Sequence, residues 1–359
     1  MKIFEFHPGI GAFSSGFEYF PENQVVQIQK INKNELYSYN LCHKQQFSVE
    51  KSEFIDVSKL KKHDLALLKP DFGVSMSQKR FRELKFDELW SCLAYIEAYQ
   101  PKIAIIITPT AVIPHLNLHE SYIKDEFDMI SKDIVLASMQ ASGYMTWQLT
   151  VDQVQCGVPM FSPVNFYVAV RNDLGTPEDT CRPTTRHSPS SGKLPYITTL
   201  DALSDLPVNR YEPYNSYCVD PINTYQAWCR RDCGTTVMNN LPHQESEEIV
   251  AILNNIQEGS SLKKASKGKI AKGSRAILAR PATLTHDFYK IRGGGAAVHP
   301  VCPRAFTIRE GMRLHGLPDH IHLPDSLSIS KQASIVHQEI SPLTAAYVYE
   351  FILPFTNGL

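Results

Sequence analysis

Short apolar runs alternate with longer mixed segments through the first 170 residues of the chain. This alternation is typical of strand–helix–strand units around a parallel sheet, in which the apolar runs are strands and the mixed segments are helices. The predicted strands are residues 2–6, 25–29, 64–68, 103–108, 145–152 and 165–172. The predicted helices are residues 9–20 after an initial turn, 32–43, 86–100 and 125–144.

The pattern changes after Asn172, where residues 173 to about 300 become rich in Pro, Ser, Thr and Gly. Only ESEEIVAILNNIQ has helical periodicity there, so we expect a smaller, loop-rich part. Regular secondary structure is predicted again at RAFTIREGMRLHGLP and at LTAAYVYEFILPF. The second of these is an apolar helix that should pack back on the first part. The predicted domains are 1–175, 176–300 and a C-terminal segment 301–359.

Composition narrows the class of protein. The chain has 359 residues, of which 43% are hydrophobic and 20% charged, with a net charge of −1. This length allows a large core, and the near-neutral charge argues against coating nucleic acid with the whole surface while leaving room for a local basic cleft. The longest apolar run, IAIIITPTAVI, is interrupted by Pro109, so no membrane span is expected.

The eight cysteines are scattered, and no basic stretch followed by a long apolar run opens the chain. Both features predict reduced thiols and an intracellular location, cytoplasmic or nuclear. The spacing of Cys218, Cys229, Cys233 and His243 fits no standard zinc pattern, so no metal is predicted. Two other cysteines and three aromatic residues are expected to lie in the core, namely Cys92, Cys156, Trp90, Tyr95 and Tyr99. The sequence contains no nucleophile-elbow motif, so a hydrolase is not predicted.

Gly9-Ile10-Gly11 forms a Gly-x-Gly turn between the first predicted strand and helix. Glycine at such a turn lets the backbone approach a ligand closely, and the start of a helix favours polar or negative groups. A tight turn without any ligand explains the same residues equally well. The motif alone therefore leaves both interpretations open.

SLKKASKGKIAKGSR, residues 261–275, carries six basic side chains and no acidic one. Basic residues on a glycine-containing loop suit contacts with phosphate, although a solvated, flexible loop is the more usual role of such a run. The basic residues are Lys263, Lys264, Lys267, Lys269, Lys272 and Arg275.

Six segments in the same order and at similar spacing resemble the DNA cytosine-5 methyltransferase family. MKIFEFHPGIGAFSSGFE is similar to its opening strand and S-adenosylmethionine loop, and DLALLKPDFGVSMSQKR to its P-C-Q-G-x-S catalytic loop. HPVCPRAFTIREGMRLHGLPDHI is similar to its H-P-x-x-x-R-x-L-T-x-R-E segment. FIDVSKL, just before the catalytic loop, belongs to the same segment as that loop, and the other three are QVQCGVPMFSPVNFYVAVRND, YITTLDALSDLP and IVHQEISPLTAAYVYEFI. The resemblance implies a doubly wound, Rossmann-like methyltransferase sheet with a smaller target-recognition domain.

The chain departs from this family at its chemical groups. Asp71 stands where the family has the cysteine that attacks cytosine, and a carboxylate is a much poorer nucleophile toward that carbon. Ile107 falls near the family's glutamate, and Ser162 and Val164 fall at its two arginines. The resemblance therefore implies that no catalytic residue is present.

The cofactor motifs are also altered. Gly9, Gly11 and Asp56 match the family and are predicted as a vestigial cofactor site, but Lys30 aligns with the acid that binds the ribose hydroxyls. A lysine donates hydrogen bonds but cannot accept them, so that contact is lost. His7 and Pro8 replace the Phe and Ala of the first loop, and residues 337–340 replace the closing G-N-x-V. We predict no cofactor, with S-adenosylmethionine as the alternative.

A DNA-facing surface is predicted from basic and hydroxyl side chains in three places. Lys79, Arg80 and Arg82 follow the old catalytic loop, and Thr283 and Thr285 belong to a segment similar to the family's P-x-x-T-I/V-T. The basic loop precedes that segment, and Arg292 follows it.

These observations favour a catalytically inactive homologue that acts as a DNA-binding module or as the regulatory partner of an active methyltransferase. The expected partners are double-stranded DNA and an active methyltransferase or other protein subunit. A second hypothesis is an active S-adenosylmethionine-dependent nucleic-acid methyltransferase with a rebuilt site and Asp71 as base. A third is a protein-interaction scaffold that binds no nucleic acid.

Overall fold

The fold is seen in a computed structural model of the chain. It describes residues 1–43, 45–48, 54–71, 87–109, 135–175, 183–208, 215–217, 219–270, 273–291 and 297–356. The predicted DNA-contacting residues Lys79, Arg80, Arg82, Lys272 and Arg292 lie outside these ranges.

Six strands form the central sheet in the order β2-β1-β3-β4-β6-β5. They are β1 Lys2–Phe6, β2 Gln24–Gln29, β3 Leu65–Leu68, β4 Ile103–Pro109, β5 Tyr144–Asp152 and β6 Pro163–Arg171. The first four strands are parallel, as the sequence pattern predicts. Strand β5 runs in the same direction as these four, and β6 is the one reversed strand of the six, antiparallel both to β4 and to β5. The sheet is therefore mostly parallel, as predicted, with one reversed strand next to its edge.

Eleven helices are seen in the described residues. They are α1 Ala12–Phe17, α2 Lys33–Cys42, α3 Asp87–Tyr99, α4 Val135–Ala141, α5 Thr199–Leu203, α6 Thr224–Arg230, α7 Glu247–Asn254, α8 Leu262–Ala265, α9 Ile308–Leu314, α10 Ile329–His337 and α11 Pro342–Ile352. Local sequence explains several of their ends. Asn32 and Glu35 form a capping box at the start of α2, and Pro342 occupies the first turn of α11, where a missing amide hydrogen costs nothing.

Both faces of the sheet are covered, which confirms the predicted α/β class. Along β4, Ile103, Ile105 and Ile107 face a core that includes residues of α1 and α11, whereas Ala104 and Ile106 face a core built with α3 and α4. Burial on both faces explains why this strand reads as one apolar run rather than as an alternation.

Helix α3 corrects one prediction about the core. Tyr95 and Cys92 are buried against the sheet, but Trp90 lies on the opposite side of the helix with 47% of its surface exposed. Cys156 is only partly buried. The helical period places Trp90 away from the sheet, since residues 92, 95 and 96 share the apolar stripe.

The loop-rich part has a core of its own. Apolar residues of α5, α6, α9 and α10 pack together with Phe288 and Phe306, and a smaller cluster joins α7 and α8. The last helix, α11, packs on α1. Among the described residues, no helix is long and apolar enough to cross a membrane.

Candidate functional site

The Gly-x-Gly turn lies where β1 ends and α1 begins, at one end of the sheet. Gly9 and Gly11 both have positive φ angles, 64° and 74°, a conformation that favours glycine. A Cβ atom on Gly9 would overlap the carboxylate of Glu339, and one on Gly11 would overlap the rings of Tyr39 and His43. The turn is therefore close-packed by the protein itself.

Glu339 reaches this turn from the segment between α10 and α11. Its Oε1 atom accepts a hydrogen bond of 3.1 Å from the backbone N–H of Ile10. The carboxylate is buried and lies 3.9 Å from Nζ of Lys69. Burial raises the pKa of Glu339, and the nearby Lys69 opposes that shift.

A second carboxylate joins the ends of three strands. Glu88, in the first turn of α3, accepts hydrogen bonds from the ammonium of Lys30 and, at 2.8 Å, from the backbone N–H of Asp71. Nδ1 of His7 lies 3.6 Å from the same carboxylate. Burial would raise the pKa of Glu88, but these three donors outweigh it and lower the pKa to about 2. Glu88 is therefore ionised and neutralises Lys30.

Asp71 follows β3 and is exposed. Its backbone is held by Glu88, so the position predicted for the lost nucleophile lies beside the turn and the Lys30–Glu88 pair. The sequence did not single out Glu88, and the only hint was that a lysine at the end of β2 needs a counter-charge.

The positions aligned with the family's glutamate and arginines hold neutral side chains. Ile107 is buried in β4 opposite Phe166 of β6. Val164 is buried in β6, and Oγ of Ser162 accepts a hydrogen bond of 3.1 Å from Gln153. None of these groups can donate a proton to a ring nitrogen or pair with an anion as an arginine does.

The carboxylate of Asp56 bonds to residues that follow it in the chain. It caps a short 3-10 helix, accepts a hydrogen bond of 2.6 Å from the hydroxyl of Ser58 and pairs with Lys59 at 2.8 Å. The Lys59 contact lowers the pKa of Asp56 most strongly. Its role here is local to the turn.

The underside of the glycine turn is a buried polar cluster. Nδ1 of His43 lies 2.8 Å from Glu18 and Nε2 lies 3.2 Å from the hydroxyl of Ser14. The order serine, histidine, carboxylate is that of a hydrolase triad. However, Ser14 is fully buried, and its hydroxyl lies 2.8 Å from a carboxylate oxygen of Glu5. Tyr39 contacts the same carboxylate. The cluster supports the turn and presents no nucleophile to a substrate. Within the described residues, no group of side chains could hold a metal ion.

The segment His299–Asp319 forms buried ion pairs. Arg304 makes two hydrogen bonds of 2.8 Å to the carboxylate of Glu310 in α9, and Thr307 caps that helix. Burial would raise the pKa of Glu310, but Arg304 outweighs it and lowers the pKa to about 2. One turn further along, Arg313 bonds to both Asp205 and Asp319. These pairs join α9 to the loop-rich part.

An open cavity of about 590 Å³ lies where the segment after Pro159 meets the loop-rich part. Among its lining residues are Phe161, Ser188, Ser190, Lys193, Tyr196, Thr198 and Arg280. The rings of Phe161 and Tyr196 meet edge to face at 6.0 Å. None of the residues that line the cavity is acidic, and the guanidinium of Arg280 is exposed and has no hydrogen bond or ion pair within the described ranges. The sequence analysis did not identify this cavity.

The basic loop is divided by the structure. Lys263, Lys264, Lys267 and Lys269 are exposed, whereas the guanidinium of Arg275 donates to the backbone carbonyls of residues 253, 300 and 302. Of the two predicted threonines, Thr283 is exposed and Thr285 is half-buried. Arg275 therefore serves the loop's own structure.

A covered α/β sheet with a glycine turn after its first strand defines a methyltransferase-type fold. The family model for C-5 cytosine-specific DNA methylases matches residues 1–337, so the chain belongs to that family. The chain is 22% identical over 346 residues to the Type II methyltransferase M.DdeI of Desulfomicrobium norvegicum, covering 89% of this chain and 79% of that protein.

Solved structures show the same fold. A structure described as a DNA modification methyltransferase encoded within an E. coli prophage superposes with a TM-score of 0.71 at 15% identity, covering 99% of each chain. The S. pombe Dnmt2 methyltransferase superposes with a TM-score of 0.55 at 12% identity, again covering 99% of each chain.

Proposed function

We propose that the protein is a DNA-binding member of the cytosine-5 methyltransferase family that does not transfer methyl groups. The observation that carries this proposal is the loss of chemical groups from one site while the surrounding ion pairs are kept. Asp71, Ile107 and Ser162 stand at the positions of the nucleophile, the acid and an arginine, whereas Arg304–Glu310 and Arg313–Asp205 are buried ion pairs. A regulatory association with an active methyltransferase is compatible with this role.

Methyl transfer is the direct test. With labelled S-adenosylmethionine and mixed-sequence duplex DNA, we expect no incorporation above background from the wild-type protein or from Asp71→Cys. The single substitution should fail because a thiolate at residue 71 would still lack an acid near residue 107 and arginines at residues 162 and 164. Recombinant M.DdeI serves as the positive control. Enzyme-dependent incorporation by the wild-type protein would refute the proposal.

Duplex DNA is the proposed partner because the cavity beside Phe161 combines cations, hydroxyls and aromatic rings without any lining acid. Arg280 and Lys193 can pair with phosphates, and the hydroxyls of Ser188 and Ser190 can donate to them. The exposed Lys263, Lys264 and Lys267 add further positive charge in the same part of the chain, whereas Lys269 pairs with Glu248. Phosphate contacts of this kind release counterions, so affinity should fall steeply with salt.

The double substitution Arg280→Ala with Lys193→Ala tests that surface. We expect duplex affinity to fall at least about tenfold, and the slope of log affinity against log salt to flatten by about one for each cation removed. Fluorescence anisotropy at several salt concentrations measures both quantities. Lys59→Ala is the matched control, since its ammonium is exposed but paired with Asp56. Wild-type protein that binds no DNA even at low salt would leave only a protein-partner role.

A further inference from the structure

The family uses S-adenosylmethionine as its methyl donor, so the glycine turn is the place to test whether this chain's residues fit that cofactor. We propose that they do not, because Glu339 and the Lys30–Glu88 pair fill the positions that the cofactor's charged and hydroxyl groups would need. The proposal concerns binding alone, and it goes beyond the proposed function, since an inactive protein can still bind the cofactor.

Glu339 is held in the turn from both sides. The carbonyl of its neighbour Gln338 accepts a hydrogen bond of 2.8 Å from Nζ of Lys69. On the other side, the N–H of Ser341 donates to Oε1 of Gln153 at 2.9 Å, and the hydroxyl of Ser341 donates to the carbonyl of Gly316 at 2.9 Å. These anchors fix the backbone on either side of residue 339, so the carboxylate can leave the turn only by rotating its side chain and breaking its buried hydrogen bond to Ile10.

The carboxylate of Glu339 already accepts the hydrogen bond of the backbone N–H that an anionic ligand would need. Backbone N–H groups in a glycine turn are the donors that bind a ligand's carboxylate or phosphate, and here the Ile10 N–H is bonded to Glu339. The carboxylate also lies so close to Gly9 that even a Cβ atom would overlap it. A ligand carboxylate entering the turn would meet both a steric overlap and a like charge.

The Lys30–Glu88 ion pair occupies the end of β2, where the ribose of the cofactor would bind. A ribose needs a carboxylate that can accept from its two hydroxyls, but Lys30 offers only donors. Glu88 is the nearby acid, and it already accepts from Lys30 and from the Asp71 N–H, with His7 beside it. The turn and the end of β2 are therefore both occupied by the protein's own charges.

Two measurements test this inference. In calorimetry with S-adenosylmethionine or its demethylated product, we expect no binding by the wild-type protein tighter than about 1 mM, whereas M.DdeI should bind both. In hydrogen exchange of the peptide around Ile10, Glu339→Ala should accelerate exchange of the Ile10 amide about tenfold, the factor expected for one lost hydrogen bond. Adding cofactor should leave the wild-type exchange unchanged.

Matched variants separate the carboxylate from general destabilisation. Glu339→Gln keeps an oxygen that can accept from Ile10, so its exchange should resemble that of the wild type. Glu350→Ala removes a half-buried glutamate of α11 that pairs with Arg186 and should change neither measurement. Wild-type binding tighter than about 1 mM would overturn the inference. So would an Ile10 amide that exchanges equally fast in the wild type and in Glu339→Ala. Methyl transfer is not measured in either experiment, so their failure is distinct from failure of the proposed function.

Discussion

Replacing Arg313 by methionine is expected to lower the free energy of unfolding by about 3–5 kcal/mol. The guanidinium of Arg313 is fully buried, and all five of its N–H donors are used. They bond to Asp205 at 2.9 and 3.1 Å, to Asp319 at 2.7 and 2.6 Å, and to the carbonyl of Ala202 at 2.9 Å. Methionine fills similar space but leaves two buried carboxylates without their main partner.

Two other arginines near the carboxylates limit the loss of unfolding free energy. Arg230 lies 3.5 Å from Asp205, and Arg309 lies 3.5 Å from Asp319, so neither carboxylate becomes wholly unpaired. Urea denaturation followed by circular dichroism gives the free energy. Arg186→Met is the matched control, because Arg186 pairs with Glu350 at an exposed site, where an ion pair contributes about 0–1 kcal/mol. Equal losses in the two variants would contradict the role assigned to the buried pairs.

Acid should destabilise the protein through His315, at the end of α9. Its Nδ1 atom lies 2.8 Å from the carbonyl of Gly311, and the ring is buried beside His337. Burial, reinforced by His337, lowers the pKa of His315 from 6.5 to about 3. The folded protein therefore holds a neutral ring at pH values at which the unfolded chain takes up a proton. Stability is lost as pH falls below about 6.5, by about 2 kcal/mol at pH 5 from this residue.

The comparison with His315→Gln isolates this effect, because glutamine does not titrate. Between pH 7 and pH 5, we expect the wild type to lose about 2 kcal/mol more unfolding free energy than the variant. Glu5→Gln should show the opposite sign, since burial raises the pKa of Glu5 from 4.5 to about 7 and its protonation favours the folded state as pH falls. Urea titrations at both pH values measure these differences. A wild type and His315→Gln with the same pH dependence would show that the His315 ring is not held neutral.

Much of the sheet could be predicted from residue patterns. Runs such as Leu65–Leu68 and residues 103–107 are apolar throughout because helices cover both of their faces, and that coverage is visible as an absence of alternation. Strand direction has no such pattern. The reversal of β6 depends on how the chain returns to the sheet, so residues 163–171 look the same in either direction.

The site divides in the same way. The residue types at positions 71, 107, 162 and 164 are read directly from the sequence, so the prediction that they cannot perform the family's chemistry needs no coordinates. What surrounds them does need coordinates. Glu88 appeared only as part of a helix, and the contact between Glu339 and Ile10 joins residues 329 positions apart.

The sequence by itself determined the strands of the central sheet, the family that the motifs resemble and the residue types at the family's catalytic positions, because each depends on local periodicity or on the identity of a residue. It did not predict the short helices α5, α6 and α8, which have too few residues for a clear period. The tertiary structure decided that Arg275 serves its own loop, that Arg280 lies in an open basic cavity and that Glu339 fills the glycine turn. Each of these depends on which distant groups meet, and a hydrogen bond or ion pair between them is set by the packing of whole elements rather than by neighbours in the chain.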